Sequence, residues 1–141
     1  MRFSTVRAKI VAGIEGVTVD NKASHRDVFR HIDNGMRARE TGLSRTFHVG
    51  MASPPRRSEA FTTTDLYAAL FEVQIYYADS PAIEDRIGLD LERVHRALDQ
   101  LAVETADLAT IDIEPGTVGE FDGHILVSFT ISCRYRLDTG V

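Results

Sequence analysis

The chain has 141 residues, 43 % hydrophobic and 26 % charged, with a formal net charge of −5. That is enough for one core and one domain spanning 1–141, but not for a second core, and it is too apolar for disorder. The longest apolar runs are strand-length, so no transmembrane helix and no membrane partner is expected. Met1-Arg2-Phe3-Ser4 leads into an amphipathic pattern instead of a signal-peptide core, which makes a cytoplasmically synthesised chain the expectation.

Charge is unevenly placed. Residues 1–57 carry eleven Lys/Arg against five Asp/Glu, a net of +6, and the rest carry five against sixteen, a net of −11. Two readings follow: the halves neutralise each other inside one fold, or basic and acidic surfaces of separate copies or partners meet heterologously.

Phe3, Val6, Ile10 and Ile14 recur at helical spacing, which predicts a first amphipathic helix over Ser4–Ile14, with Ser4 as its cap and Gly13 or Gly16 as its end. Val17 and Val19 suggest a brief extended piece. Ser24-His25-Arg26-Asp27, in the S-x-x-D form ahead of Val28, Phe29 and Ile32, predicts a short helix over Ser24–Ile32 that Asn34-Gly35 closes. Leu43, Arg45, Phe47 and Val49 alternate with Ser44, Thr46 and His48, which predicts a strand over 43–51 with Arg45 at its end. Ala52-Ser53-Pro54-Pro55-Arg56-Arg57-Ser58-Glu59 breaks the period, and its two prolines lack N–H donors, so a projecting loop is expected at 52–60. The clearest strand follows at Phe61–Tyr77, with Tyr67, Ala69, Phe71, Val73, Ile75 and Tyr77 on its core face.

Ser80-Pro81 reads as a cap and first-turn proline for a long helix over 80–103. Its stripe is Ile83, Ile87, Leu91, Val94, Leu98 and Leu101. Asp85, Asp90, Glu92 and Asp99 are assigned to its solvated face, with Arg86/Asp90 and Glu92/Arg96 as i,i+4 pairs. After a turn at Val103–Leu108, a strand bent at Pro115-Gly116 runs to Phe121, and Asp122-Gly123 turns it into a last strand, His124–Leu137. Cys133 lies in the apolar alternation of that strand and reads as a core thiol, since a lone cysteine cannot form an internal disulfide. The predicted class is α+β: a mostly antiparallel sheet covered by the helix at 80–103 and the N-terminal helix.

No P-loop, dinucleotide-binding, nucleophile-elbow or zincin motif is present. His25, His31, His48, His95 and His124 lack ligand spacing, so no metal, cofactor or catalytic residue is assigned. Arg26, Arg30, Arg37, Arg39 and Arg45, interleaved with Phe29 and Phe47, could form a basic patch, but the aromatics fit core positions and no sequence-reading motif accompanies them.

Three features set side by side are an N-terminal amphipathic helix, the strand Phe71-Glu72-Val73-Gln74-Ile75-Tyr76-Tyr77, and Asp79-Ser80-Pro81 opening a helix with Ile87-Gly88-Leu89-Asp90-Leu91. With the closing hairpin Leu108–Phe121 and His124–Leu137, this arrangement resembles the tail terminator (tail completion) proteins of long-tailed bacteriophages and phage-like particles such as gene transfer agents. The resemblance covers about 66–137 well and 1–51 loosely, and it is topological. It implies a non-enzymatic virion protein at the head–tail junction, forming a hexameric ring that caps the tail tube, ends its polymerisation and joins it to the head connector. The implied partners are other copies of the chain, the major tail tube protein and the head–tail connector protein, with DNA passing through the ring without specific binding. Arg56 and Arg57, with Arg37, Arg39 and Arg45, are the candidate inter-subunit or tube contacts. The competing readings are a head–tail connector, stopper or tube subunit of the same particle, or a small non-phage α+β enzyme or ligand-binding domain.

Overall fold

The alternating and helical periodicities resolve into two helices and a five-stranded sheet in a computed structural model that describes residues 1–17, 28–33, 42–57, 66–121 and 123–137. The chain is α+β. In sequence, α1 (Phe3–Glu15), β1 (Arg30–His31), β2 (Thr46–Arg57) and β3 (Leu66–Ala78) precede α2 (Ile83–Glu104), and β4 (Leu108–Phe121) and β5 (His124–Arg136) follow it. The sheet order is β1-β2-β3-β5-β4, antiparallel throughout except for the two-residue β1, which runs parallel to the start of β2.

Both helices cover one side of the sheet. Val6, Ile10 and Ile14 of α1 and Ile83, Ile87, Val94 and Leu98 of α2 share a single core with Phe47, Val49, Phe71, Val73, Ile75, Val127, Phe129 and Ile131. Burying a Val or Leu side chain in such a core contributes roughly 1.5–3 kcal/mol. The stripe therefore holds α2 on the sheet, although Leu91 and Leu101 are only half-buried. Cys133 is a core thiol, and burial, with some help from Asp112, pushes its pKa up to about 12.

Several expectations are corrected. Neither serine caps its helix: α1 starts after Arg2 and α2 after Ala82, neither with a side-chain cap. Ala82 takes φ +60°, and Ser80-Pro81-Ala82 forms a turn in which Ile83 N–H donates to the Ser80 carbonyl, so α2 begins later than its proline suggests. Gly16 does end α1. Where a helix over Ser24–Ile32 is expected, Arg30–His31 is a strand; residues 24–27 lie outside the described residues.

The largest correction is the expected loop at 52–60. Residues 52–57 continue β2 and pair with β3, through register shifts between Met51 and Ser53 and between Ser53 and Arg56; residues 58–60 lie outside the described residues. Prolines are tolerated there because, among the described residues, β1 pairs only with Thr46 and Phe47, so the rest of β2 is a sheet edge where a missing N–H breaks no ladder. The Asp122-Gly123 turn lies partly outside the described residues, but Gly123 holds φ +80°, and β4 and β5 pair directly across it.

Candidate interaction surfaces

The candidate arginines do not form one patch. Arg45 and Arg56–Arg57 stand at opposite ends of β2, roughly 35 Å apart at strand rise, and Arg37 and Arg39 lie outside the described residues. Arg45 is corrected from a surface contact to an interior residue. Only 5 % exposed, it holds φ +66° in the turn before β2, and its Nε and Nη2 donate to the two Asp90 carboxylate oxygens at 2.8 and 3.0 Å. Asp90 is correspondingly buried at 1 %, not solvated, and its expected pairing with Arg86 gives way to Arg45. The Tyr77 hydroxyl donates to the same carboxylate at 2.8 Å, and burial, reinforced by Asp90, raises that hydroxyl's pKa. One carboxylate thus ties together the start of β2, the end of β3 and the middle of α2. It offers no open face to a ligand, so its work is to fix how α2 sits on the sheet.

A second polar cluster lies where α1 meets β1. His31 stacks on His48 with ring centroids 5.6 Å apart, and His48 Nδ1 contacts the Ile32 carbonyl at 2.8 Å. His31 Nε2 is buried without a partner among the described residues. Burial foremost, then His48 and Arg7, lower the His31 pKa below its ordinary 6.5. The unfolded chain therefore binds this proton more readily than the folded one. Stability is retained above pH 6.5 and lost as pH falls from there through the folded-state value. Urea unfolding at pH 7.5 and 5.5 should show a smaller acid loss in His31→Gln than in the native chain; an equal loss in both would assign the acid sensitivity elsewhere.

The outward surfaces of interest are the two edges of the sheet. On β2, the Phe47 carbonyl is taken by Ile32 N–H and the Val49 carbonyl by Arg7 Nε at 2.7 Å, so the open edge begins at Met51. From there to Arg57, no strand pairs with it among the described residues. This stretch carries Arg56 and Arg57 and no acid. The opposite edge, β4, carries Asp112, Glu114 and Glu120 and no Lys or Arg. Each edge also exposes one large apolar side chain, Met51 at 54 % and Val118 at 65 %.

Beside Val118, the bulge of β4 leaves a groove of about 250 Å³ against α2, lined by Leu91, His95, Ile113, Pro115, Val127 and Phe129 among others. His95 sits edge-on to Phe129 at 5.7 Å and forms part of its wall. Among the described residues, no group of three His, Cys, Asp or Glu is placed to hold a metal ion, and no helix is long and apolar enough to cross a membrane. What the sequence missed is that both edges are open among the described residues and oppositely charged; the signal was present in the acids of 108–121 and the arginines of 56–57, but not the strand order that makes them opposite edges. No protein-family model matches the chain, and no curated protein matches it.

Proposed function

We propose that this chain is a structural, non-catalytic virion protein of a long-tailed bacteriophage or phage-like particle: a tail terminator that closes into a ring through which DNA passes, caps the tail tube and meets the head connector. The observation that supports this reading best is the pair of open sheet edges with opposite charge, basic on β2 and acidic on β4. Heterologous contacts of this type repeat from copy to copy and generate a ring when the rotation closes. The element order supports the reading only coarsely: an N-terminal helix, a long strand, a long helix after it and a closing hairpin, β4–β5, follow one another along the chain. A hexamer and its place at the head–tail junction come from the resemblance alone.

The test is to add the purified chain to tail tube subunits of the same particle as they polymerise, and to measure tube lengths by negative-stain electron microscopy. Tubes of bounded length with a ring at one end are expected. Incorporation along the tube would instead identify a tube subunit. Unchanged tube growth, with a chain that stays monomeric by light scattering, would overturn the reading.

A further inference from the structure

The two open edges match in more than charge. We infer that the β2 edge of one copy adds to the β4 edge of the next as an antiparallel strand, with Met51 opposite Val118 and Arg56 opposite Glu114. The inference rests on the proposal that copies meet heterologously, and not on the particle to which a ring would belong.

Direction comes first. Going from β2 to β3 to β5 to β4 reverses the chain three times, so β4 runs opposite to β2. A neighbour placed with its helices on the same side of a continued sheet therefore presents β2 antiparallel to β4, and its own β4 remains open for a further copy.

Backbone orientation comes second. Phe47 directs its carbonyl outward to Ile32, so by two-residue alternation Met51 also directs its N–H and C=O out of the sheet. At the other edge, Gly123 accepts from Asp79, so Val127, four residues on, points towards β3 and away from β4. Its cross-strand neighbour Val118 is then in a non-hydrogen-bonded pair and points outward. Met51 and Val118 can exchange both backbone hydrogen bonds.

Register comes third. Measured on β3, Met51 and Arg56 are aligned with Phe71 and Ala68, three positions apart, with two bulges, between Met51 and Ser53 and between Ser53 and Arg56, each absorbing one extra residue. Measured on β5, Val118 and Glu114 are aligned with Val127 and Thr130, also three positions apart, with the bulge between Glu114 and Thr117 doing the same. The proline-carrying bulges of the two edges, at Pro54-Pro55 and at Pro115-Gly116, therefore face one another. Phe71 and Val127 lie in the core, which puts Met51 and Val118 on the helix side; the odd spacing puts Arg56 and Glu114 together on the reverse side. Opposed as a non-hydrogen-bonded pair, their Cα atoms would be about 4.5 Å apart, where opposite charges attract. Met51 would meanwhile lie over Val118 at the rim of the apolar groove. A β2–β2 or β4–β4 contact would set arginine against arginine or carboxylate against carboxylate.

The test mixes a full-length chain carrying Arg56→Cys with one carrying Glu114→Cys, at millimolar concentration under mild oxidation. Both positions are exposed, and the buried Cys133 thiol does not compete. A disulfide-linked heterodimer is expected in the mixture and should be lost when either variant is oxidised alone. The charge-reversed single variant Arg56→Glu should lose self-assembly by light scattering, and Arg56→Glu with Glu114→Arg should regain it. A homodimer of Arg56→Cys alone, no cross-link in the mixture, or no rescue by the double reversal would each overturn the register. Cross-linking with uncapped tubes would instead refute the terminator role and keep the interface; capped tubes without cross-linking would do the reverse.

Discussion

Replacing Asp90 by Ala should lower stability by about 3–5 kcal/mol, the usual effect of removing one partner from a buried ion pair. Arg45 would lose its bidentate acceptor at a position only 5 % exposed, and the Tyr77 hydroxyl would lose the oxygen it donates to. Against a total stability of roughly 5–15 kcal/mol, that loss is a large share. Urea unfolding followed by circular dichroism measures it directly. The triple variant Arg45→Met, Asp90→Leu, Tyr77→Phe should recover most of the loss, because it removes the charges and the polar hydroxyl together instead of stranding them. A loss below about 1 kcal/mol in Asp90→Ala would mean that water reaches Arg45 and that the cluster does not anchor α2.

This cluster shows what the sequence could yield and what it could not. Beside Asp85 and Glu92, Asp90 reads as part of the wet face, but its spacing says otherwise: it stands three residues after Ile87 and four before Val94, within the stripe itself. Arg45 likewise interrupts an apolar alternation, Leu43, Phe47 and Val49. Two opposite charges, each lodged in an apolar register, are a signal for a buried pair. Periodicity also reads the core face of β3, where Ala69, Phe71, Val73, Ile75 and Tyr77 enter the core and Tyr67 is half-buried against it, although Leu66 and Tyr76 of the other face are buried as well. It failed at Pro54-Pro55 because only the strand order reveals that β2 is an edge, and at Arg30–His31 because a two-residue strand has no period and exists only through its parallel pairing with Thr46 and Phe47.

The bulge of β4 provides the sharpest steric test. A Cβ on Gly116 would fall 1.9 Å from the Ser128 carbonyl oxygen and 2.9 Å from the Phe129 Cβ. The first of these is backbone and cannot swing aside, so Gly116→Ala must part β4 from β5 at the bulge, at a cost of about 1–3 kcal/mol or more. Gly88→Ala is the matching control: it lies within α2, where a Cβ meets nothing within 4 Å, so the same substitution should stabilise by about 0.5–1 kcal/mol. Thermal unfolding of the two variants should therefore move in opposite directions. If Gly116→Ala unfolded at the native temperature, the close approach of β4 to β5 would be wrong, and with it the bulge that aligns Glu114 and Val118 for a neighbouring strand. If it unfolded earlier while still forming Arg56–Glu114 contacts between copies, the bulge would serve the hairpin alone. The expected result is that both stability and self-assembly fall, because one backbone kink shapes the hairpin, the groove against α2 and the edge register together.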